Sequence, residues 1–329
     1  MIVVITGATS FIATEFTKLA VECGNDVYAV CRNIKKARAR FREDASLHFV
    51  EASMNEYKSI GSRIPKADVF VHFAWDGTKI EERDIEDVHS RNINYTLEAM
   101  ATAKSLGCKL FVDTGSQAEY GLVNTTITEE TPCNPFSEYG KAKLAVYKKG
   151  TEYSKKVGIK YLHLRIFSVY GENDHSHTLV MSGLQKLLRN EPLQLSDCNQ
   201  NWNFLYIRDA VQQIYRLMEV INDDESFKSG VYNIASSDTR VLKDFVLEMK
   251  AITNSKSKLR FGELQPKQIV SLAPDISKTF GRIGFTSKYS FETGIKRILN
   301  VMNTTWQVNT GPTGGMHTLR KTSDGESSN

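Results

Sequence analysis

Cysteine is scarce in this chain, and the few cysteines are scattered. None of the five belongs to a C-x-x-C pair; they are Cys23, Cys31, Cys108, Cys133 and Cys198. A disulfide framework and a zinc site are therefore not expected, and we expect a reducing, cytoplasmic compartment. Asp174, His175 and His177 lack the spacing of a complete zinc ligand set, so we interpret them as a substrate loop or as plain surface.

A large excess of one charge sign and a long apolar run are also missing. The formal net charge is +4 at pH 7, which gives no reason to expect a nucleic acid partner but allows a basic pocket for an anion. We interpret the densest basic run, residues 35–40, as the solvated face of a surface helix. No apolar stretch approaches the roughly 18 residues of a membrane helix, and the first residues lack signal-peptide features. We therefore expect neither membrane insertion nor export.

Short apolar runs alternate with longer amphipathic stretches in the first half of the chain. The apolar runs predict strands at residues 2–6, 26–31, 46–50, 68–73, 109–114 and 160–167. The stretches between them predict helices at residues 11–22, 85–106 and 138–157. The runs are rich in Val, Ile, Leu and Phe and mostly lack strict alternation, as is typical of parallel strands covered on both faces. This order predicts an α/β fold with a doubly wound parallel sheet over residues 1–171.

The alternation ends after residue 171. Helices are predicted at residues 178–189, 208–220, 241–253 and 291–302, with short strands around 204–207 and 231–234. We interpret residues 172–308 as a smaller mixed C-terminal lobe that covers the ligand edge of the sheet and binds the substrate. Residues 309–329 are rich in Gly, Ser and Thr with few apolar groups, and we expect them to be disordered.

The first predicted strand runs into a turn with small residues, Thr6-Gly7-Ala8-Thr9-Ser10-Phe11-Ile12-Ala13. A turn from strand to helix that binds a pyrophosphate needs small residues for the sharp bend, for backbone N–H groups to reach the phosphates and for close packing. The pyrophosphate then lies on the helix N-terminus, here beside Ser10, Phe11 and Ile12. The segment resembles the T-G-x-x-G-x-x-G turn of extended short-chain dehydrogenases/reductases, with Ser10 and Ala13 replacing two glycines. The resemblance implies a Rossmann-type fold that binds a nicotinamide dinucleotide.

The end of the second strand selects the cofactor in this family. NAD-dependent relatives carry an aspartate that binds the ribose 2′-hydroxyl, whereas this chain has Cys31 followed by Arg32. Because an arginine can pair with a phosphate through two hydrogen bonds, NADP(H) is favoured, and NAD(H) remains an alternative. The resemblance places Ser53 and Met54 beside the adenine, although relatives often have an aspartate in place of Ser53.

The fourth strand and the following helix hold two further matches. His72-Phe73-Ala74-Trp75 resembles the H-x-A-A segment that passes under the cofactor in this family, which implies cofactor contacts for Phe73, Ala74 and Trp75. Trp75 is interpreted equally well as a residue that borders the substrate, or as a core or lid residue. Asn92 matches the helix asparagine that supports the active-site backbone beside the cofactor.

Tyr139 and Lys143 form a Y-x-x-x-K pattern, which places both side chains on one face of a helix. A free tyrosine has a pKa near ~10, and a nearby ammonium lowers it, so that a phenol can exchange a proton with a carbonyl or alcohol oxygen near neutral pH. This pattern alone is common, and a surface Tyr–Lys pair is the ordinary interpretation of it.

Two other segments add to that pattern. Residues 113–121 resemble the family's S-x-x-x-Y-G segment, with Ser116 at the position of the catalytic Ser or Thr. Residues 165–171 resemble the R-x-F-N-V-Y-G strand beside the nicotinamide, with Ser168 in place of Asn. The chain is thus similar to the NAD-dependent epimerase/dehydratase family from residue 1 to roughly 300. The resemblance implies that Ser116, Tyr139 and Lys143 are catalytic and that Thr114, Tyr139, Lys143 and Phe167 contact the cofactor.

The reaction within the family depends on the residues after Ser116. Dehydratases of nucleotide sugars carry an Asp-Glu pair there, and this chain has Gln117 and Ala118, which cannot shuttle protons. NADPH-dependent reduction of a nucleotide-linked 4-keto-6-deoxy sugar is therefore favoured, and the pattern is closest to nucleotide-sugar 4-ketoreductases. A nucleotide-sugar 4-epimerase with bound NAD is the first alternative. A reductase of non-sugar carbonyls and a non-catalytic dinucleotide-sensing regulator are others.

The substrate side is predicted from weaker matches. Residues 201–209 resemble the R-D-F-x-x-V-x-D segment of nucleotide-sugar enzymes, with Trp202 where many relatives have a diphosphate-binding arginine. Arg208 or Lys186 could replace that arginine. The resemblance implies substrate contacts for Trp75, Gln117, Ser168, Trp202 and Arg208, and a homodimer through the helices predicted at 85–106 and 138–157.

Overall fold

Most strands of the chain belong to one parallel sheet. The computed structural model describes residues 1–266 and 268–309. The strands in chain order are β1 (Ile2–Thr6), β2 (Asp26–Cys31), β3 (Leu47–Glu51), β4 (Val69–His72), β5 (Leu110–Ser116), β6 (Lys160–Ile166), β7 (Ser168–Tyr170), β8 (Leu193–Gln194), β9 (Asn201–Tyr206), β10 (Ser229–Ile234), β11 (Thr239–Val241) and β12 (Leu259–Arg260).

The central sheet has seven strands in the order β10-β6-β5-β4-β1-β2-β3, and all neighbours pair in parallel. Six of them follow the 3-2-1-4-5-6 order of dinucleotide-binding sheets. Every residue of β4 and β5 is buried, as expected for parallel strands covered on both faces. The predicted Rossmann-type doubly wound α/β fold is confirmed.

Helices cover both faces of this sheet. In chain order the helices are α1 (Phe11–Glu22), α2 (Ile34–Arg38), α3 (Tyr57–Ile60), α4 (Glu86–Ser105), α5 (Glu138–Val157), α6 (Leu179–Leu188), α7 (Ile207–Asp223), α8 (Leu242–Ile252), α9 (Ser277–Ile283) and α10 (Phe291–Asn309). On one face α1 and α7 pack with strand residues such as Val3 and Ile5. On the other face α3, α4 and α5 pack with strand residues such as Val4 and Phe70.

The smaller lobe contains two short sheets, with the strand orders β11-β9-β7 and β12-β8. Only Phe167 separates β6 in the central sheet from β7 in the lobe. The prediction put the strand at 231–234 in the lobe, and this was wrong, because β10 pairs in parallel with β6 at the edge of the central sheet. One continuous apolar core joins both regions, from Val3 to Ile298. The division at residue 171 stays a prediction.

Other differences concern short or terminal elements. The strands β7, β8, β11 and β12 and the helix α9 were not predicted, and their lengths of two to seven residues are too short for a periodic pattern to show. The last helix, predicted to end at residue 302, continues to Asn309. Of the tail predicted to be disordered, residues 310–329 lie outside the described part of the chain.

Helix α5 lies unusually close to β6 at one point. A Cβ atom on Gly150 would lie 2.7 Å from Cζ of Tyr161, a fully buried ring on β6, and 2.8 Å from its hydroxyl oxygen. The helix ends at Gly158, whose positive φ of 65° closes the last turn in the left-handed conformation. Glycine at position 150 therefore sets the height at which α5, and the residues near its N-terminus, lie above the sheet.

This contact predicts a stability difference between two helical glycines. The substitution Gly150→Ala should lower the free energy of unfolding by about 1–3 kcal/mol, because the new methyl group meets a rigid buried ring. Gly281→Ala in α9, where nothing lies within 4 Å of the added atom, should raise it by about 0.5–1 kcal/mol. Urea unfolding followed by circular dichroism measures both, and equal effects would contradict the close approach of α5.

Candidate active site

A cavity of about 1500 Å³ opens at the carboxyl ends of the central strands. It is bounded by the turns after β1, β2, β4 and β5 and by residues of the smaller lobe. Most residues predicted for the site line it: Gly7, Ser10, Phe11, Ile12, Arg32, Ser53, Met54, Phe73, Ala74, Trp75, Thr114, Ser116, Gln117, Tyr139, Lys143, Phe167, Ser168 and Trp202. Parallel strands bring these distant segments to one edge, which is where open α/β sheets bind ligands.

The turn after β1 is tightly packed at Gly7. Its φ is +64°, and a Cβ atom there would lie 2.8 Å from both the backbone N and Cα of Ala74 in the turn after β4. Only glycine combines this conformation with this approach. Helix α1 begins directly beyond, and Ser10, Phe11 and Ile12 at its N-terminus face the cavity. This is the shape and polarity that a dinucleotide pyrophosphate needs.

Ser116, Tyr139 and Lys143 meet on one wall of the cavity. Ser116 ends β5, and its Oγ accepts a hydrogen bond from the N–H of Ala118 at 3.1 Å. Tyr139 and Lys143 lie in the first two turns of α5, one turn apart. Nζ of Lys143 donates to the backbone carbonyl oxygen of Thr114 at 2.6 Å, which ties α5 to the end of β5.

The electrostatics of the pair differ in part from the expectation. Burial raises the pKa of Tyr139, and the guanidinium of Arg83 and the hydroxyl of Ser116 oppose that rise. The sequence assigned this effect to Lys143. However, the guanidinium carbon of Arg83 lies 4.9 Å from the centroid of the Tyr139 ring, and Nζ of Lys143 lies 5.9 Å from it. Burial lowers the pKa of Lys143 to about 8, against the pull of the carboxylates of Asp113 and Glu119.

Trp75 forms the aromatic side of this wall. Nζ of Lys143 lies 3.6 Å from the centroid of its ring, a cation–π distance, and the ring meets Tyr139 edge-on at 6.0 Å. The other neighbour of Trp75 is the ring of His89, at 6.2 Å. Its indole Nε1 is buried and has no hydrogen-bond partner.

Two predicted site residues do not line the cavity. Asn92 is buried behind it, where its amide exchanges two hydrogen bonds with the backbone of Asp76, so it supports the turn after β4 and does not reach the cofactor space. Arg208 is exposed on α7 and is not among the residues that line the cavity, so its substrate contact stays a prediction. The helix begins at Ile207, so the next side chain leaves the buried face. Lys186, the other substitute considered, does not line the cavity either.

Three arginines of the cavity wall were not predicted: Arg40, Arg83 and Arg91. Arg40 belongs to the basic run that was interpreted as a solvated face, but its Nη1 donates to the carbonyl oxygen of Thr9 at 2.6 Å and so lies beside the turn after β1. Arg83 lies in a loop whose sequence has no motif, and only the fold shows it over Tyr139. No motif in the sequence separates Arg40 from the rest of the basic run, and only the fold brings it to the turn after β1.

Arg32 directly follows the last residue of β2, as predicted. Its Nη1 is 3.5 Å from a carboxylate oxygen of Asp76, and both side chains are largely exposed. Ser53, after β3, is held by a capping box in which its N–H donates to Glu56 at 2.7 Å. Arg32, Arg40 and Ser53 thus form a polar end of the cavity, opposite the wall with Tyr139.

The opposite end of the cavity is bounded by the smaller lobe. Ser168 and Trp202 line it from β7 and β9, and Glu172 accepts a hydrogen bond from the hydroxyl of Tyr206. His175 and His177 stack on each other at 5.4 Å. Within residues 1–266 and 268–309, no three or more His, Cys, Asp or Glu side chains are arranged to hold a metal ion. In the same ranges, no helix is both long and apolar enough to cross a membrane.

The chain is similar in sequence to a family of known proteins along most of its length. A family model described as "NAD dependent epimerase/dehydratase family" matches residues 3–235. A CDP-abequose synthase of Salmonella muenchen is 21% identical over 309 residues, which cover 91% of this chain and 97% of the relative. A dTDP-6-deoxy-L-talose 4-dehydrogenase (NAD(+)) of Aggregatibacter actinomycetemcomitans is 23% identical over 280 residues, which cover 83% of this chain and 98% of the relative.

The chain is also similar in fold to solved structures. A UDP-glucose 4-epimerase from Thermotoga maritima, crystallised with UDP-glucose, superposes with a TM-score of 0.82 at 20% identity. The match covers 93% of this chain and 100% of that chain. At this identity the likeness shows a shared fold, and the resemblance seen in the sequence motifs is confirmed at the level of the family.

The tight turn at Gly7 gives a test of the cofactor space. Gly7→Ala should weaken binding of NADPH and NADH at least about tenfold, because the added methyl group strains the backbone and collides with Ala74. Gly24→Ala is the matched control, since Gly24 also has a positive φ of 78° but has nothing within 4 Å of the added atom. Fluorescence titration with the dinucleotide measures both, and equal affinities would contradict this location of the cofactor.

Proposed function

The chain belongs to the NAD-dependent epimerase/dehydratase family, and we propose that it reduces a nucleotide-linked 4-keto-6-deoxy sugar to the 4-hydroxy sugar with NADPH. The observation that carries the proposal is the meeting of Ser116, Tyr139 and Lys143 on one wall of a cavity whose other end holds Arg32 and Arg40. One end therefore suits acid–base chemistry on a carbonyl group, and the other suits a phosphate.

The chemistry follows from the three side chains. Bound NADPH would supply the hydride that reaches the carbonyl carbon of the sugar. Tyr139 gives its phenolic proton to the carbonyl oxygen, so that an alcohol forms and the phenolate remains to be reprotonated from solvent. Ser116 donates a hydrogen bond to the same oxygen and polarises the carbonyl group. Arg83, whose guanidinium carbon lies 4.9 Å from the centroid of the Tyr139 ring, and Lys143, whose Nζ lies 5.9 Å from it, keep positive charge near the phenolate that forms.

Elimination of water from the sugar is disfavoured by the residues after Ser116. Gln117 lines the cavity where dehydratases need a carboxylic acid, and the methyl side chain of Ala118 has no ionisable group. A dehydratase would therefore have to find its acid and base elsewhere on this wall.

The proposed substrate class rests on two relatives. The names of the CDP-abequose synthase and of the dTDP-6-deoxy-L-talose 4-dehydrogenase both specify nucleotide-linked deoxysugars, and the second specifies oxidation or reduction at carbon 4. Both align along nearly their full length with this chain, including the lobe that would bind the sugar. The nucleotide-diphosphate sugar is accordingly the partner proposed here, and a homodimer through α4 and α5 remains part of the proposal.

The choice of NADPH rests on charge. Arg32 and Arg40 both line the cavity, and Cys31 stands where NAD-dependent relatives carry the carboxylate that would repel a 2′-phosphate. The ion pair between Arg32 and Asp76 favours the alternative, a 4-epimerase that retains NAD(H), because it satisfies part of the charge of Arg32. A non-catalytic sensing protein is a weaker alternative, since it would not need all three side chains of the catalytic wall.

One assay separates these alternatives. Purified protein is mixed with NADPH or NADH and a panel of CDP-, dTDP- and UDP-linked 4-keto-6-deoxy sugars, and the absorbance of the reduced nicotinamide is followed. In a parallel set, the corresponding 4-hydroxy sugars are incubated with the protein, and their configuration at C4 is followed by NMR. Consumption of NADPH supports the proposal. Interconversion of C4 epimers without net cofactor consumption would favour the epimerase, and no turnover with cofactor binding intact would favour the sensing protein.

Tyr139→Phe should bind the dinucleotide as the parent protein does and should lose at least about 10² in rate, the size of a proton-transfer contribution. Tyr153→Phe is the matched control, because it removes a phenolic oxygen from the same helix outside the cavity. Steady-state kinetics and a dinucleotide titration measure both. Near-normal turnover of Tyr139→Phe would remove Tyr139 from the mechanism.

Arg32→Ala should lower kcat/KM for NADPH about tenfold to a hundredfold and change the value for NADH little, because only NADPH carries the 2′-phosphate. Arg63→Ala, an exposed arginine outside the cavity, is the control for the loss of one positive charge. A parent protein that prefers NADH would refute the assignment of Arg32.

A further inference from the structure

A set of fully buried charged side chains lies beneath the catalytic wall and takes no part in the chemistry described above. It consists of Asp113 on β5, Glu119 in the short turn after β5, and His163 and Arg165 on β6. Nδ1 of His163 is 2.9 Å from Asp113 and its Nε2 is 3.0 Å from Glu119. Nε of Arg165 donates to the other oxygen of Glu119 at 2.8 Å.

The set carries two negative and two positive charges. Burial alone would lower the pKa of His163, but its two carboxylate partners raise it to about 8, so the ring is an imidazolium at neutral pH. Burial alone would raise the pKa of Glu119, but the charge and hydrogen bond of His163, the charge of Arg165 and the Ser116 N–H hold it below its ordinary value. Ionised groups without water need such pairing, because an unpaired buried charge is very unfavourable.

Glu119 connects this set to the cavity. One carboxylate oxygen of Glu119, Oε1, accepts both the N–H of His163 and, at 2.8 Å, the backbone N–H of Ser116. The Ser116 Oγ in turn accepts the backbone N–H of Glu119, which closes a capping box, and also that of Ala118 at 3.1 Å. Because the Ser116 oxygen accepts these backbone hydrogen bonds, its own proton is left for a partner in the cavity.

The sequence between these residues is adapted to the set. A Cβ atom on Gly115 would lie 2.3 Å from Nε2 of His163 and 2.4 Å from Oε1 of Glu119. Position 115 therefore has no room for a side chain because the ion pair passes directly beside it. The pair packs against the peptide that leads into Ser116, and it is not a distant contact.

We propose that Glu119 is a positioning residue for Ser116: held by His163 and Arg165 on β6, it fixes the backbone of Ser116 so that the hydroxyl points into the cavity. The proposal rests on the catalytic role of Ser116 in the proposed function. It assigns the buried His163 to the same task, because His163 joins Glu119 to Asp113 and keeps both carboxylates ionised.

The test is a double-mutant cycle between Glu119 and Ser116, measured with the 4-keto sugar and the dinucleotide that the panel assay identifies. Three groups donate to the Glu119 carboxylate: the Ser116 N–H, the His163 ring and the Arg165 guanidinium. In Glu119→Gln the NH2 group replaces one of the two acceptor oxygens and the negative charge is lost, so at least one of these donors loses its acceptor. We expect kcat to fall at least about tenfold, while KM for the dinucleotide changes less than about threefold. Ser116→Ala should cost at least about 10² in the parent protein and much less in the Glu119→Gln background, since the two residues act as a unit.

Glu129→Gln is the matched control. Glu129 is also a buried glutamate that accepts one backbone N–H, from Asn233 at 2.8 Å, and it does not contact Ser116. It reports what the loss of a buried carboxylate does through stability alone, and its effect on kcat should multiply with that of Ser116→Ala. If Glu119→Gln does not fold, His163→Gln replaces it in the cycle, because a glutamine amide carries no positive charge to keep the two carboxylates ionised.

The outcomes are distinct. A smaller effect of Ser116→Ala in the Glu119→Gln background, with multiplicative effects in the Glu129→Gln background, supports the proposal. Effects that multiply in both backgrounds, or equal losses of kcat in the two glutamate variants, overturn it while the proposed function stands. A parent protein that is insensitive to Ser116→Ala overturns both this proposal and the catalytic role of Ser116.

Discussion

Burial of parallel strands on both faces is the constraint from which this molecule is built. Strands such as β4 and β5 have no exposed residue, so all their backbone groups must pair within the sheet and all their polar side chains must find partners or leave the strand at its end. Parallel strands end on the same edge. The segments after β1, β2, β4 and β5 therefore converge there, and the cavity is the space between them.

The chemistry of the site is governed by the same burial. Lys143 is buried and Tyr139 is partly buried, which makes the charged form of each less favourable than in solution. The protein opposes this cost by fixed partners: Arg83 over the phenol ring, the Trp75 ring and the Thr114 carbonyl around the ammonium. Poised acids and bases need such partial compensation, because a fully exposed pair would titrate far from neutral pH.

The sequence was sufficient for elements with strong local signals. Helix α1 has the predicted bounds, and the three side chains that meet on one wall of the cavity were predicted by motifs that constrain local backbone geometry. The placement of β10 was not predictable, because an edge strand of a central sheet and a strand of a small lobe have the same local pattern. Arg208 illustrates a different limit: motif spacing places the residue in the first turn of α7 but does not fix the direction of its side chain, which is exposed.

Residues that act over long sequence distances were also missed. Arg83 reaches Tyr139 from a loop 56 positions earlier, and nothing in the neighbouring sequence marks it. Arg40 was assigned to a solvated face and is exposed, but its hydrogen bond to Thr9 also brings it to the turn after β1. His163 and Glu119 each look unremarkable in the sequence, and only the adjacency of β5 and β6 joins them. These contacts are set by tertiary structure, and the sequence pattern carries no trace of them.

The single residue between β6 and β7, Phe167, limits how far the two sheets can move relative to each other. Phe167 spans at most about 3.6 Å of chain. The small sheet of the lobe therefore cannot move relative to the central sheet without a change in the backbone conformation of this residue. Phe167 also lines the cavity, so the same residue connects the two sheets and forms part of the ligand-binding space. A shift of the small sheet therefore has to move Phe167, and with it a part of the cavity wall.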